Sequence, residues 1–233
     1  MEFLIETFQR GAEYSAEGIF IAGKPHVLIF TAKKTSGAPH FVETGHRLPA
    51  LLRPQLERVA RNTVCRALEE VGLVFGVFHV EFWVDGDSVV LGELHARPGG
   101  DYIHLMTQLV TGIKLHGAIF SQLLGRPLDP GTWLPRGGAA VQYLGGGSGT
   151  LTRVIGWDQV VASEHCVRAE LAVKPGQWLQ PATGSAGRPG LVVACGASAQ
   201  QAAARAARLA GAVRFEVAPL ATANAGASGG AAG

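Results

Sequence analysis

Histidine, glutamate and arginine recur at every second position in two stretches of the sequence, and these residue types are suited to chemistry. His79 and Glu81 alternate with apolar residues in the first stretch, and Glu93, His95 and Arg97 follow the same spacing in the second. Successive side chains of a β-strand point to opposite faces of a sheet, so each set is predicted to share one face. Two neighbouring strands would therefore offer polar side chains on the face opposite an apolar core.

The connection between these two strands decides whether the two glutamates lie together. An antiparallel register with an even index sum, with residue 81 opposite 93 and residue 85 opposite 89, places both carboxylates on one face. This register needs an odd number of connecting residues, which Gly86 to Ser88 would supply. A two-residue turn at Gly86-Asp87 would instead place the carboxylates on opposite faces.

Two glutamates with an arginine beside them suit a magnesium nucleotide. Carboxylate oxygens are hard ligands for Mg²⁺, and a guanidinium binds phosphoryl oxygens. The alternative is a solvated outer sheet face on which Glu81, Glu93 and Arg97 form ion pairs worth ~0 to 1 kcal/mol. Gly99 and Gly100 favour the first interpretation, because bare amides that enter a helix N-terminus attract an anion.

The elements that must position these residues combine sheet and helix throughout the chain. Apolar residues at three- and four-residue spacing predict an amphipathic helix over 51–71, which ends at Gly72. Ser198 with Gln201 resembles a capping box that opens a helix ending at Ala210. Two further helices are predicted, one ending at 110 and one over 113–124. Strands and hairpins are predicted over 3–8 and 19–31, with turns marked by Gly11, Gly23 and Pro25. Further strands are predicted over 75–84, 89–97, 139–144, 149–155, 167–173, 190–194 and 213–217.

Composition excludes several classes of protein. The chain has 233 residues, 47% hydrophobic and 16% charged, and its net charge of +2 is too small for a protein that depends on binding nucleic acid. Three cysteines without CxxC spacing signal neither a disulfide framework nor a zinc site, so a cytoplasmic location is expected. No apolar run approaches the ~18 residues of a membrane helix, and neither a signal peptide nor a membrane partner is expected. The Ala/Gly/Ser tail over 221–233 is predicted to be disordered.

Four segments together resemble the ATP-grasp ligases. The stretch from His79 to Asp101, with the run ELHARPGGD at 93–101, is similar to the metal and phosphate strands of that family. Residues 4–17, LIETFQRGAEYSAE, are similar to its adenine hinge and ribose contact. Residues 41–50, FVETGHRLPA, resemble the carboxylate–amine branch, which makes dipeptides and related amides. Residues 136–217, with RPGLVVACG at 188–196, resemble the C-terminal domain of that branch.

The resemblance implies an α+β fold and a nucleotide site. The large ATP-grasp subdomain, an antiparallel sheet with helices, would cover 1–130, and a smaller α+β domain would cover 131–220. The expected cofactors are ATP and Mg²⁺ or Mn²⁺. ATP would be held by the hinge backbone at adenine and by a carboxylate at ribose; these residues are Glu6, Thr7, Phe8 and Glu13. The metal would be held by Glu81, Glu93 and, more weakly, His95.

The same resemblance implies roles in catalysis and substrate binding for other residues. Arg97 and His79 would lie near the transferred phosphoryl group. The carboxylate and amine substrates, both small molecules, would be held by His46, Gly99, Gly100 and Asp101. Lys33 is expected to be a solvated loop lysine next to Lys34 rather than a phosphate contact.

Two departures from the family pattern bear on function. His95 stands where many ATP-grasp enzymes have asparagine, and an imidazole suits Mg²⁺ less than an amide oxygen does, so His95 could instead contact phosphate or substrate. The family's N-terminal domain and its small nucleotide-covering subdomain have no counterpart in the sequence. We therefore expect the C-terminal half of a carboxylate–amine ligase that acts through an acyl phosphate, with the other half on a longer chain or a separate one. The alternative is a non-catalytic module, derived from the ATP-grasp fold, that binds nucleotide or a partner protein.

Overall fold

The structure is a computed structural model that describes residues 3, 5–126, 128 and 134–218. These residues form an α+β fold built on a large antiparallel sheet. The predicted tail over 221–233 lies outside the described residues, as does most of the predicted domain boundary near residue 130. Within the described ranges, no helix is both long and apolar enough to cross a membrane.

Eight strands form the large sheet, and three more form a small one. In chain order the large sheet contains β1 (Ala12–Ile21), β2 (Lys24–Thr35), β3 (Glu43–Leu48), β4 (Val77–Asp85), β5 (Ser88–His95), β6 (Gly138–Tyr143), β8 (Cys166–Leu171) and β10 (Gly190–Gly196). The small sheet contains β7 (Gly149–Ile155), β9 (Trp178–Leu179) and β11 (Arg214–Ala218). In space the large sheet runs β5-β4-β1-β2-β3-β6-β10-β8, which places β1 between β4 and β2.

In the part of the chain that the structure describes, five α-helices and a short 3₁₀ helix accompany the sheets. They are α1 (Pro54–Glu70), α2 (Ile103–Thr111), α3 (Leu115–Leu123), α4 (Trp157–Val161), the 3₁₀ turn Ser185–Gly187 and α5 (Ala199–Ala212). The amphipathic helix predicted over 51–71 is confirmed by α1, whose buried positions Leu56, Ala60, Val64 and Leu68 follow the predicted spacing. At the start of α5 the Gln201 amide donates to Ser198 Oγ over 3.2 Å, as the capping pattern predicted.

The two faces of the large sheet are covered differently. Helices α1 and α5 pack on one face, over apolar side chains such as Phe30, Phe82 and Val192. Helices α2 and α3 pack on the opposite face around Met106 and Val141. Beside α2, this second face carries buried charged and polar side chains, which form the site described below.

Two sequence predictions about elements change. The strand predicted over 3–8 is wrong, because residues 5–10 have no regular secondary structure and β1 begins at Ala12. The strands and hairpin predicted over 19–31 are present as the end of β1, a turn and β2, but β2 continues to Thr35. The large sheet also crosses the predicted boundary at residue 130, because β3 pairs with β6. The division into domains 1–130 and 131–220 stays a prediction.

Candidate active site beside the glycine turn

A buried ion pair between Glu17 and His79 lies at the centre of the polar face. β1 and β4 place these residues directly opposite each other, and each is 2% exposed. Ser15 Oγ and Thr31 Oγ1 donate to Glu17 Oε1 over 2.7 and 3.2 Å. Burial lowers the pKa of His79, but the charge of Glu17 and hydrogen bonds to Glu17 and Glu81 outweigh it and raise the pKa to about 9. The imidazole is therefore protonated at neutral pH, and it donates to Glu17 over 2.9 Å and to Glu81 over 3.1 Å.

Lys33 is a buried member of the same cluster, not the solvated loop lysine that the sequence predicted. It lies within β2, because that strand is longer than predicted, and its side chain is only 2% exposed. The ammonium donates to Glu13 Oε1 over 2.8 Å and to Glu81 Oε1 over 2.5 Å. Burial raises the pKa of Glu81, but hydrogen bonds from His79 and Lys33 and their charges lower it to about 2. Glu81 is therefore a partly buried, permanently ionised carboxylate.

The two predicted metal glutamates lie on one face, but the predicted connection between their strands is wrong. Asp85 pairs with Ser88 across a two-residue turn, and His79 pairs with His95 further along. A β-bulge between these pairs inserts one extra residue in β5 and restores the even register. The Glu93 carboxylate lies 2.8 Å from His95 Nε2, and the His95 ring stacks on His79 at 5.8 Å. A continuous chain of contacts thus links Glu93 to Glu81.

The glycine turn that follows β5 packs directly on the buried ion pair. A Cβ at Gly99 would come within 2.9 Å of Glu17 Oε2 and 3.0 Å of His79 Nδ1, so a side chain has no room there. A Cβ at Gly100 would meet nothing within 4 Å. Arg97, at the start of the turn, is exposed and, among the described residues, donates only to the Pro98 carbonyl, over 3.0 Å.

Asp101, the last residue of the turn, is held by an arginine from a distant part of the chain. Arg188 donates from both terminal nitrogens to the Asp101 carboxylate over 2.7 and 2.8 Å, and its guanidinium lies 3.7 Å from the centroid of the Tyr143 ring. Against the effect of burial, the neighbouring imidazole of His46 and the Arg188 guanidinium hold the pKa of Asp101 well below its usual range. Asp101 and Tyr102 both have left-handed backbone conformations, with φ of 50° and 62°.

His46 lies next to this pair with its hydrogen-bonding groups unused. It is 3% exposed, and both ring nitrogens are buried without a hydrogen-bond partner among the described residues. Glu43, His46 and Asp101 could each place a ligand atom within 4.8 Å of the others. A metal ion there would meet the fixed cations Arg188 and Lys33, which lie 3.6 and 3.7 Å from the Glu43 carboxylate. The group is therefore better suited to a polar organic ligand.

A large cavity opens beside the charged cluster. It has a volume of about 1010 Å³. The predicted hinge residues Glu6, Thr7 and Phe8 line it together with Glu13 and Glu93. The sheet thus brings both ends of the predicted nucleotide site to one space, although the sequence places them far apart.

Sequence reasoning missed three side chains that organise the site. Glu17 continues the alternation of Glu13 and Ser15 on β1, a signal that was available from the spacing. Lys33 could have been found by the same rule, because Thr31 precedes it by two residues in β2. Arg188 had no local signal, because its partner Asp101 is far away in sequence.

Two family models match the chain in separate regions. An ATP-grasp domain matches residues 1–105, and an L-amino acid ligase C-terminal domain 2 matches residues 143–218. The first match includes the cluster around Lys33, and the second includes Arg188.

Individual relatives agree with these matches. The crystal structure of an L-amino acid ligase from Bacillus licheniformis superposes with a TM-score of 0.80 at 26% identity, over 91% of this chain and 55% of that one. Carnosine synthase 1 from Mus musculus is 27% identical over 143 residues, which are 61% of this chain and 17% of the relative. The uncharacterized protein y4rH from Sinorhizobium fredii is 28% identical over 176 residues, 75% of this chain and 36% of the relative. The chain thus spans about a third of the length of one of these curated relatives and less than a fifth of the other.

Proposed function

We propose that the chain, whose two matched regions are similar to an ATP-grasp domain and to an L-amino acid ligase C-terminal domain, provides the nucleotide, metal and substrate residues of an ATP-dependent carboxylate–amine ligase. In this reaction a substrate carboxylate attacks the γ-phosphoryl group of ATP, ADP leaves, and an amine displaces phosphate from the acyl phosphate to form an amide. The observation that carries the proposal is the cavity shared by the hinge residues, Glu13 and Glu93, next to the ionised carboxylate of Glu81.

The nucleotide would lie along this cavity. The backbone of Glu6 to Phe8 would contact adenine, and the Glu13 carboxylate would accept the ribose hydroxyls. The Glu13 carboxylate already accepts a hydrogen bond from the Lys33 ammonium over 2.8 Å, and its second oxygen would accept from ribose.

The donor set fits a hard divalent ion. Glu81 is held ionised, Glu93 lies on the same face, and both supply the carboxylate oxygens that Mg²⁺ or Mn²⁺ prefers. His95 is engaged with Glu93 and is better suited to orienting that carboxylate than to binding Mg²⁺. The bound ion would neutralise charge on the phosphoryl oxygens. Both ring nitrogens of His79 are engaged by carboxylates, so we assign His79 to positioning Glu81 rather than to contact with phosphate.

Substrate activation would depend on positioning and charge rather than on a protein nucleophile. Arg97 is exposed at the start of the glycine turn, and its guanidinium would contact phosphoryl and acyl phosphate oxygens. The amides of Gly99 and Gly100 precede α2 and would support the same charge. His46, with Asp101 beside it, would hold the amino acid substrate through its unused ring nitrogens.

Turnover is expected to need the remaining parts of an ATP-grasp ligase, on the same polypeptide or on a separate one, because they enclose the phosphates. A cytoplasmic location is part of the proposal, in keeping with three unpaired cysteines. A non-catalytic nucleotide-binding or protein-interaction module is the competing function.

Calorimetry with ATP, in magnesium and in EDTA, tests the proposal on the 233-residue chain. Weak binding that depends on magnesium is expected. Glu93→Gln should abolish the magnesium dependence, and Glu13→Gln should weaken binding with or without metal. Glu164→Gln is the control, since this carboxylate is exposed and lies outside the cavity. A folded chain that gives no heat with millimolar ATP would favour the non-catalytic module.

A further inference from the structure

Lys33 is a buried cation that contacts carboxylates from three different strands. Its ammonium lies 2.8 Å from Glu13 on β1, 2.5 Å from Glu81 on β4 and 3.7 Å from Glu43 on β3. The next residue, Lys34, is exposed, as the alternation of β2 requires. The strand pairing therefore fixes Lys33 as the counter-ion of this cluster.

The contact with Glu81 opposes the binding of a free metal ion by that carboxylate. Glu81 Oε1 already has two close contacts, with the Lys33 ammonium at 2.5 Å and with His79 Nε2 at 3.1 Å. A divalent ion placed at this oxygen would lie within a few ångströms of the ammonium, and the repulsion between like charges in a partly buried site is large.

We propose that Lys33 occupies the cation position beside Glu81 and so prevents this carboxylate from binding a free divalent ion. The inference rests on the proposed function, in which Glu81 is a metal ligand. Nucleotide phosphates carry negative charge that offsets the ammonium, so the metal would enter together with the nucleotide rather than before it. Lys33 is thus a positioning residue that sets the order of binding.

Removal of Lys33 should therefore increase the affinity for a free metal ion. We would titrate the nucleotide-free chain with Mn²⁺ and measure the unbound ion by its electron paramagnetic resonance signal. Lys33→Met is expected to bind Mn²⁺ at least about tenfold more tightly than the wild type. Lys33→Arg retains the charge and should resemble the wild type, and Lys24→Met is the matched control, since it removes an exposed lysine at the start of β2 that does not line the cavity. A general structural defect would not increase affinity.

A double-mutant cycle with Glu81→Gln assigns the effect to one carboxylate. In the wild-type background this substitution should hardly change Mn²⁺ affinity, because Lys33 already occupies Glu81. In the Lys33→Met background it should abolish the gain. A folded Lys33→Met chain with unchanged affinity, or an equal loss on Glu81→Gln in both backgrounds, would overturn the inference.

The removal of a buried cation can also unfold the chain. In that case we would compare the charge-balanced double variant, Lys33→Met with Glu13→Gln, with the single variant Glu13→Gln. Tighter Mn²⁺ binding by the double variant supports the inference, and equal Mn²⁺ affinity overturns it. The ATP titration described above is independent of this result. Binding of Mg-ATP without the Mn²⁺ effect would reject only the role of Lys33, whereas the Mn²⁺ effect without ATP binding would reject the proposed function.

Discussion

Two cations organise the polar face of the sheet, and they do so in different ways. Lys33 lies near the end of β2, and its carboxylate partners Glu13 and Glu81 lie on β1 and β4, the next two strands of the same sheet. Arg188 comes from a loop before β10 and reaches Asp101 in the turn before α2. Both cations also lie near the Glu43 carboxylate, each beside a different carboxylate oxygen.

The difference shows how each residue type is used. An ammonium is a compact charge that can be shared among carboxylates arriving from several directions, whereas a guanidinium forms a flat fork that fixes one carboxylate in both position and orientation. The first arrangement suits a place where ligands exchange. The second suits a turn that has to keep an unusual backbone shape, such as the left-handed pair Asp101 and Tyr102.

The largest expected effect is on the Arg188 contact. Arg188→Met leaves the Asp101 carboxylate without its guanidinium and is expected to lower the free energy of unfolding by about 2 to 4 kcal/mol, measured by urea denaturation. Arg53→Met is the matched control, since it removes an exposed arginine–aspartate pair with Asp87 and should cost less than about 1 kcal/mol. Equal losses for the two variants would mean that Arg188 is an ordinary surface residue.

The cluster around Lys33, which includes His79, and the cluster around Arg188 should also respond differently to alkaline pH. The pKa of His79 rises from 6.5 to about 9 on folding, so its contribution is fully present below pH 6.5 and is lost as the pH rises through 9. Stability should thus fall across this window by up to about 1.4 kcal/mol for each pH unit. The His79→Gln variant should lose less stability over this pH range than the wild type. The Arg188→Met variant should lose as much as the wild type, because arginine does not titrate in this range. Denaturation curves between pH 6 and 10 measure both slopes, and a flat wild-type profile would contradict the ion pair.

The two glycines of the turn should differ in a smaller but measurable way. Gly99→Ala places a methyl group against Glu17 and His79 and is expected to cost about 1 to 3 kcal/mol. Gly100→Ala meets open space and should stay within ~0.5 kcal/mol of the wild type. Thermal denaturation of both variants gives the comparison. If the alanines cost the same, the close approach of the turn to the ion pair is not significant.

The clusters around Lys33 and Arg188 also differ in how far the sequence could predict them. The alternation of His79 and Glu81 located the polar face, because a period of two is a local property of a strand. The bulge opposite Glu81 was missed, since an inserted residue changes the register without any required residue type. Lys33 was misjudged because the end of β2 was placed too early, and a strand end depends on pairing with β3.

The Arg188 contact lay beyond sequence reasoning for a different reason. It joins residues far apart in the chain, and only the pairing of β3 with β6 and of β6 with β10 brings them together. Family resemblance supplied the correct fold, but it assigned no role to Arg188. The sites of local alternation were thus predictable, and the contacts that depend on sheet order were not.

The smallest expected effect concerns Glu43, the carboxylate that lies between the two cations. Its oxygens are 3.7 Å from Lys33 and 3.6 Å from Arg188, whereas each cation has a nearer partner within 2.8 Å. Glu43→Gln should therefore cost only about 0.5 to 1 kcal/mol, because both cations keep their main contacts and Ser185 can still donate to the amide oxygen. Urea denaturation of the single variant and of the double variant with Arg188→Met measures the coupling between the clusters. Additive losses within ~0.5 kcal/mol would mean that the clusters act independently, while a larger interaction energy would make Glu43 the residue that joins them.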